Sequence, residues 1–531
     1  GNNTAVGYFA GEKMTTGVEN NLFGALAGDA LTTGSYNVAI GKGTLSTEDT
    51  GSRNVAIGSR ALLSLNYDGN GYNIAIGYDA GLEMTTGQAN TLMGGLAGDA
   101  LTTGTGNIAL GFSAMSAATT EGDTVAIGRA AMSGSTLSQR AVAVGAYALE
   151  DQAHSSLTNT YNTAVGWSAG LNLTTAVRTT IVGGETANAI MTGNDNTLLG
   201  YGTGYDITSG HSNTIVGSSA GSNVSTGIRN VLIGVNTGDA LVDGNYNTAV
   251  GYQALSDDDQ GEYNTAMGYF ALENYNDGDG NGHNTAVGAQ SQRNASTGEF
   301  NTSLGSLSMG SGVATGDNNV AIGYQTGSAL TSGASNILIG RDAGDALTSG
   351  TNNIAIGQEA LSTQVIHGQN VAIGFNALKV QNVDGHGNNT AVGMQAGLAV
   401  TTGTSNTLIG SAAGDALTTG SFNVALGVNA LSTEDAYGKN TAVGYRSLEV
   451  LNASSDGSNT AVGFKAGLAL STGVGNTLIG SEAGDALTSG ANNIIIGKNA
   501  AASAVSASNT TVIGTTTTTS ALVHGLKQPV I

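Results

Sequence analysis

The chain has 531 residues, among them 84 glycines, one proline and no cysteine, and its formal net charge is −22. The absence of cysteine excludes disulfides, thiolate catalysis and Cys-based zinc sites. Only 16 residues are Lys or Arg, and they form no basic stripe, which argues against nucleic acid and against an anionic membrane surface as partners.

Glycine does not fall at every third position, so the chain is not collagen. The apolar residues recur at fixed phases, which argues against disorder. No run approaches the roughly 18 apolar residues of a membrane-spanning helix. The chain opens inside a repeat, at Gly1-Asn2-Asn3, and reads as a processed product or part of something longer.

One phrase organises the sequence. Asn3-Thr4-Ala5-Val6-Gly7 is its first clear copy and Thr510-Thr511-Val512-Ile513-Gly514 its last. Thirty copies occur, most of them 17 residues apart. A fixed short period of this kind marks a solenoid, in which each repeat stacks on its neighbours. With the motif Asn numbered zero, positions +1 and +3 are mostly Thr, Val, Ile or Leu, and +4 is Gly in every copy. This pattern predicts a short strand at +1 to +3, ended by the glycine. A second strand is expected at about +10 to +13, before a turn at the frequent Gly of +14. No window has sustained helical periodicity.

The expected fold is therefore all-β: a parallel β-solenoid of about 30 coils with a 17-residue period, expected to assemble as a homotrimeric rod. Residues 1–514 would form the shaft, and residues 515–531 a non-repeating tail, cap or linker. Coils about 4.8 Å apart would give a rod on the order of 140 Å. The motif Asn residues (Asn3, Asn20, Asn37, Asn54, Asn73, Asn353 and Asn423 among them) are expected to stack as a hydrogen-bonded ladder and to sit in turn conformations. Gly7, Gly24, Gly41 and Gly58 would make the turn after each strand.

The strand residues are apolar on both faces. In Asn37-Val38-Ala39-Ile40-Gly41, Val38 and Ile40 point one way and Ala39 the other. One face can fill the coil; the other needs a partner, most simply another copy of the chain. A charge at Ala355 would break assembly if position +2 is the partner-facing one. Position +2 is Leu at Leu22, Leu92, Leu338, Leu408 and Leu478, four coils apart within each half, and Ala-Gly-Asp-Ala-Leu marks the same unit of about 70 residues.

The period stretches at a few places, through polar and mostly Gly-rich insertions such as residues 64–71, 150–154 and 274–280. These read as surface loops, the segments that decorate binding faces in solenoids. Asp277, Asp279 and Asn281 match the opening of a calcium loop, but Gly288 stands where the closing Glu belongs. A Gly/Asp turn explains the same residues without metal, and no cofactor is expected. Asp257-Asp258-Asp259 reads as a solvated acidic loop, and the Asp of Ala-Gly-Asp-Ala-Leu as a turn residue bonding its own backbone.

Aromatics gather at +5, including Tyr8, Tyr78, Trp167, Tyr252, Tyr324 and Tyr445. They would cap corners or seal contacts between chains; a row of them could also stack on sugar rings of a cell-surface glycan or host receptor. The six histidines form no ligand pair. Gly166-Trp167-Ser168-Ala169-Gly170 spells a nucleophile elbow, but no helix is expected to follow it.

Asn37-Val38-Ala39-Ile40-Gly41 and Asn54-Val55-Ala56-Ile57-Gly58 resemble the head repeats of trimeric autotransporter adhesins of the YadA type. The resemblance covers nearly the whole chain and implies trimers of left-handed parallel β-rolls that bind host surfaces. The period here is longer than that family's usual coil, and neither a heptad stalk nor C-terminal barrel strands follow. Similar repeats occur in bacteriophage tail fibres, which the long duplicated shaft resembles more. The resulting expectation is a non-enzymatic fibre or spacer, extracellular or on a virion or bacterial surface, binding itself as a trimer or end to end. A bacterial adhesin or filament subunit is one alternative. A β-helical polysaccharide-degrading enzyme is the other, disfavoured by the sparse charge.

Overall fold

The computed structural model describes residues 1–514 other than Asp277, Asp279, Gly280, His367 and Asp384, together with the backbone of Val523 and His524. It is an all-β parallel β-solenoid of about 30 turns, without helix among the described residues. Contacts divide the chain into two compact units, Gly1–Asn264 with Gly278–Gly280, and Thr265–Asp277 with Asn281–Ile531. Each is a run of the same coil.

Every coil contributes one short strand at +1 to +3, such as Val38–Ile40 or Ile354–Ile356. Neighbouring coils pair in parallel and in register, so that Val38, Ala39 and Ile40 face Val55, Ala56 and Ile57. This register puts like residues side by side. The backbone follows it: the Val38 amide donates to the Asn54 carbonyl (2.9 Å), and the Gly41 amide to the Phe23 carbonyl (2.7 Å). At the end of the second unit, Val523–His524 pairs antiparallel with Thr510–Ile513.

The second strand expected at +10 to +13 does not form in most coils. There the amides of Thr15, Thr16 and Gly17 all converge on one carbonyl, that of Thr32. Three successive donors on a single acceptor bend the chain, where a strand would alternate its amides between two sides. Coil-to-coil bonding survives, but as a turn. The exception lies beside the longest insertion, where Thr136–Gln139 and Ala153–Asn159 pair as strands with a register shift.

Position +2 faces the interior. Leu22, Ala39, Ala56 and Ala355 are fully buried. The reading in which +2 meets a partner chain is therefore corrected: +1 and +3 point outward. The interior is completed by +7 (Ala27, Ala61), by +8 (Leu45, Leu62) and by +11 (Leu31, Met84), all fully buried. Positions +2 and +8 compensate each other. Where +2 is Leu, +8 is Gly in the same coil and, except for Ala187 before Leu198, in the one before. A Cβ at Gly344 would lie 3.0 Å from Leu338 Cδ2, and one at Gly327 would lie 2.7 Å from Leu338 Cδ1. Where +2 is Ala, the freed volume is commonly taken by Leu or Met at +8, as at Leu361 beside Ala355. The four-coil superperiod is this exchange of volume across the core.

Candidate functional site

The Asn ladder runs through both units. The backbone amide of Asn37 donates to Asn20 Oδ1 (2.9 Å), and Asn37 Nδ2 donates to the Gly51 carbonyl of its own coil (2.8 Å). Asn54 repeats this on Asn37 Oδ1 (2.9 Å), and Asn73 on Asn54 Oδ1 (3.2 Å). Asn3 Nδ2 donates to the Gly17 carbonyl and Asn20 to Asn3 Oδ1. The amide of Asn353 donates to Asn336 Oδ1, and that of Asn423 to Asn406 Oδ1. These side chains are buried, Asn3 at the first coil excepted. The motif Asn itself is not left-handed, contrary to expectation. The left-handed residue is the one before it: Tyr36 has φ +62° and Arg53 +64°.

Gly7, Gly24, Gly41 and Gly58 have φ between +126° and +144°. Only glycine enters this region readily. There is also no room: a Cβ at Gly41 would lie 2.5 Å from the Gly58 carbonyl oxygen of the next coil.

The outward face is built from four rows, −1, +1, +3 and +5. Row +3 is aliphatic but for Phe23, and row +1 is mostly Thr, Val or Ile; both remain partly open to solvent, with Ile40 39% and Leu426 41% exposed. Three strand residues at a coil spacing of 4.8 Å present on the order of 50 Å² per coil. A dozen coils then present about 600 Å², of which roughly half is the continuously apolar row +3, within the range of the largest apolar patch on an ordinary monomer.

Row +5 carries the expected aromatics, and Tyr8, Tyr78, Trp167, Tyr252, Tyr324 and Tyr445 are all exposed. Tyr445 stacks on Phe464 of the next coil with ring centroids 5.4 Å apart, and Arg60 lies 5.3 Å over Tyr78. Row −1 was missed in the sequence. It flanks the other side of the strand and holds a second ladder of rings and guanidinium groups. Arg53 lies between Tyr36 and Tyr72, 5.5 and 5.6 Å from their centroids. Tyr246 stacks on Tyr263 at 4.9 Å and lies under Arg229, and His283 stacks on Phe300 at 5.1 Å. Only the 17-residue phase could have revealed this row, because no single residue type marks it.

Asp277 and Asp279 of the calcium-like loop lie outside the described residues; Asn281 is exposed. Among the described residues, no group of three His, Asp or Glu is placed to hold a metal ion. No helix among them is long and apolar enough to cross a membrane. Ser168 of the elbow-like motif is buried at φ +53° and no helix follows it.

The acidic residues depart from expectation. Asp258, read as solvated, is fully buried, as are Glu48 and Glu434 at the same phase. Burial pushes the carboxyls of Glu48 and Glu434 above the usual carboxylate range. In the Ala-Gly-Asp-Ala-Leu segments Asp99, Asp345 and Asp415, and in the related Thr237-Gly238-Asp239-Ala240-Leu241 Asp239, do bond their own amides. Each nevertheless has a buried Oδ1 without a hydrogen-bond partner. Burial raises all four, Asp239 to about 6. Arg and Lys are spent on single surface pairs such as Arg178–Asp195 (2.6 Å) and Lys439–Asp456 (2.6 Å).

No protein-family model matches the chain, and no curated protein matches it in sequence.

Proposed function

We propose that this chain is a structural fibre: a shaft of three parallel copies that holds a surface-binding element at a distance from its anchor, most like a bacteriophage tail fibre. The observation that supports it most is the outward apolar row at +3, mostly Val, Ile and Leu, repeated coil after coil beside the Thr, Val and Ile of +1. A partner that covers such a row along its length needs the same axial period, and a second and third copy of this chain have it by construction. The proposed place is extracellular, on a virion or a cell, and the proposed role involves no chemistry.

Ile356, on row +3 and half-buried in the single chain, gives the test. Ile356→Lys leaves the interior untouched and is expected to dissociate the trimer into folded chains, as read by light scattering and circular dichroism. Unchanged mass would place the contact elsewhere. Electron microscopy of the wild-type particle is expected to show slender rods.

The exposed aromatics of row +5 favour a second reading, a surface adhesin whose shaft itself stacks on sugar rings. Trp167→Ala would then abolish glycan binding without changing the mass; retained binding would count against that role for Trp167.

A further inference from the structure

The coil length and one buried position are coupled. Five intervals between motif positions exceed the period by two residues or more, those opening at Asn54, Ala141, Asn264, Asn370 and Asn440. The coil before each of them carries a polar residue at +11: Glu48, Ser135, Asp258, Gln364 and Glu434. All five are buried to within 1% of full occlusion. In every other 17-residue coil, position +11 is aliphatic, as at Leu31, Met84, Leu101, Leu347 and Leu417.

Hydrogen bonds account for the coupling at Glu48 and Glu434, whereas Ser135 Oγ and the Gln364 amide group are buried without a hydrogen-bond partner. Glu48 Oε1 accepts from the Gly51 amide of its own coil (2.6 Å), and Oε2 from the Tyr67 amide in the lengthened coil that follows (3.2 Å). Glu434 repeats this in the other unit, with Oε1 accepting from Tyr437 (3.1 Å) and Oε2 from Ala453 (3.2 Å). Gly51 and Tyr437 share phase +14, and Tyr67 and Ala453 share phase +13. Asp258 accepts from the +14 amide of Gly261 (2.7 Å). In a regular coil these amides turn toward a carbonyl of the next coil, as Thr16 and Gly17 do toward Thr32. Extra residues carry that carbonyl out of reach and leave buried donors behind, each costing about 1–3 kcal/mol if unmet. A carboxylate has acceptor capacity for both.

We propose that the buried +11 carboxylates of Glu48 and Glu434 are clamps that permit the following coil to lengthen and hold the root of its loop in one position. A loop could then be moved along the shaft by moving the polar residue with it.

The test is a cycle on the full chain. Glu48→Leu restores the regular +11 residue; deleting Asp68 and Gly69 restores the regular spacing between Asn54 and Asn73. Glu48→Leu alone is expected to lower the melting temperature by several degrees. In the shortened chain the same change is expected to cost nothing or to stabilise. An equal loss in both backgrounds would overturn the proposal. If the shortened chain fails to fold, Glu48→Gln decides. It is expected to speed amide hydrogen exchange at Tyr67 at least tenfold and to leave Ala453 unchanged, with Glu434→Gln doing the reverse. Unaltered exchange at Tyr67 would overturn the proposal.

Discussion

The motif Asn answers two buried demands at once, which is why so few other residues occupy its place. Asn406 shows the arrangement. Its amide donates to Asn389 Oδ1 (2.8 Å), its Nδ2 donates to the Gly420 carbonyl (2.9 Å), and its Oδ1 accepts from the Asn423 amide (2.9 Å). Asn406→Ala strands the Gly420 carbonyl and the Asn423 amide inside the coil. The expected loss is about 2–5 kcal/mol, measured by urea unfolding. Asn406→Ser is expected to recover little, because the shorter side chain cannot reach both partners. Gly41→Ala should cost about 3 kcal/mol, since it adds strain at φ +136° to a clash with the Gly58 carbonyl. Asn and Gly were legible in the sequence because each job admits one residue type. Row −1 was not. Its left-handed backbone ordinarily calls for Gly or Asn, yet Tyr36, Arg53, Arg229 and Tyr246 occupy it. Stacking on the neighbouring coil stands beside that strain, and pattern within one coil cannot reveal contacts with the next.

At the scale of the coil, the interior is a volume shared between +2 and +8. Leu338→Ala opens a cavity above Gly327 and Gly344, where the Leu338 side chain now leaves no room for a Cβ (φ +55° and +57°). A loss of about 2–5 kcal/mol is expected, and a double change adding Leu at position 344 should recover part of it, because Leu361 occupies the same phase beside Ala355 at φ +55°. Melting of the single and double variants checks this. The first strand of each coil was legible from its β-branched residues and the glycine behind it. The second was misjudged because Thr-Thr-Gly has strand-like composition but a turn's hydrogen bonding, three amides on one carbonyl. The assignment of faces was misjudged for a related reason. Small Ala at +2 reads as surface, until the Leu or Met at +8 that fills the space beside it is recognised.

For the molecule as a whole, charge and burial act in the same direction. Asp99, Asp239, Asp345, Asp415, Glu48 and Glu434 all have folded-state values above the usual carboxylate range, chiefly through burial. A raised carboxyl contributes stability that is fully present below its unfolded value near 4 and is lost as pH rises through its folded value, about 6 for Asp239. The negative neighbours Asp257 beside Asp239, and Asp342 and Glu359 beside Asp345, add to the effect. Asp195, Glu359 and Asp456 are lowered by Arg178, Lys379 and Lys439, so they lose stability only below the usual carboxylate range. The melting temperature is therefore expected to be higher at pH 5 than at pH 7.5, and Asp239→Asn should raise the neutral value and narrow the difference.

Two further copies of the chain are proposed to cover the outward apolar row. The most direct test is the mass of the wild-type protein in native buffer, by sedimentation equilibrium over a range of concentrations. Three times the chain mass is expected, independent of concentration. A monodisperse monomer would contradict the proposal.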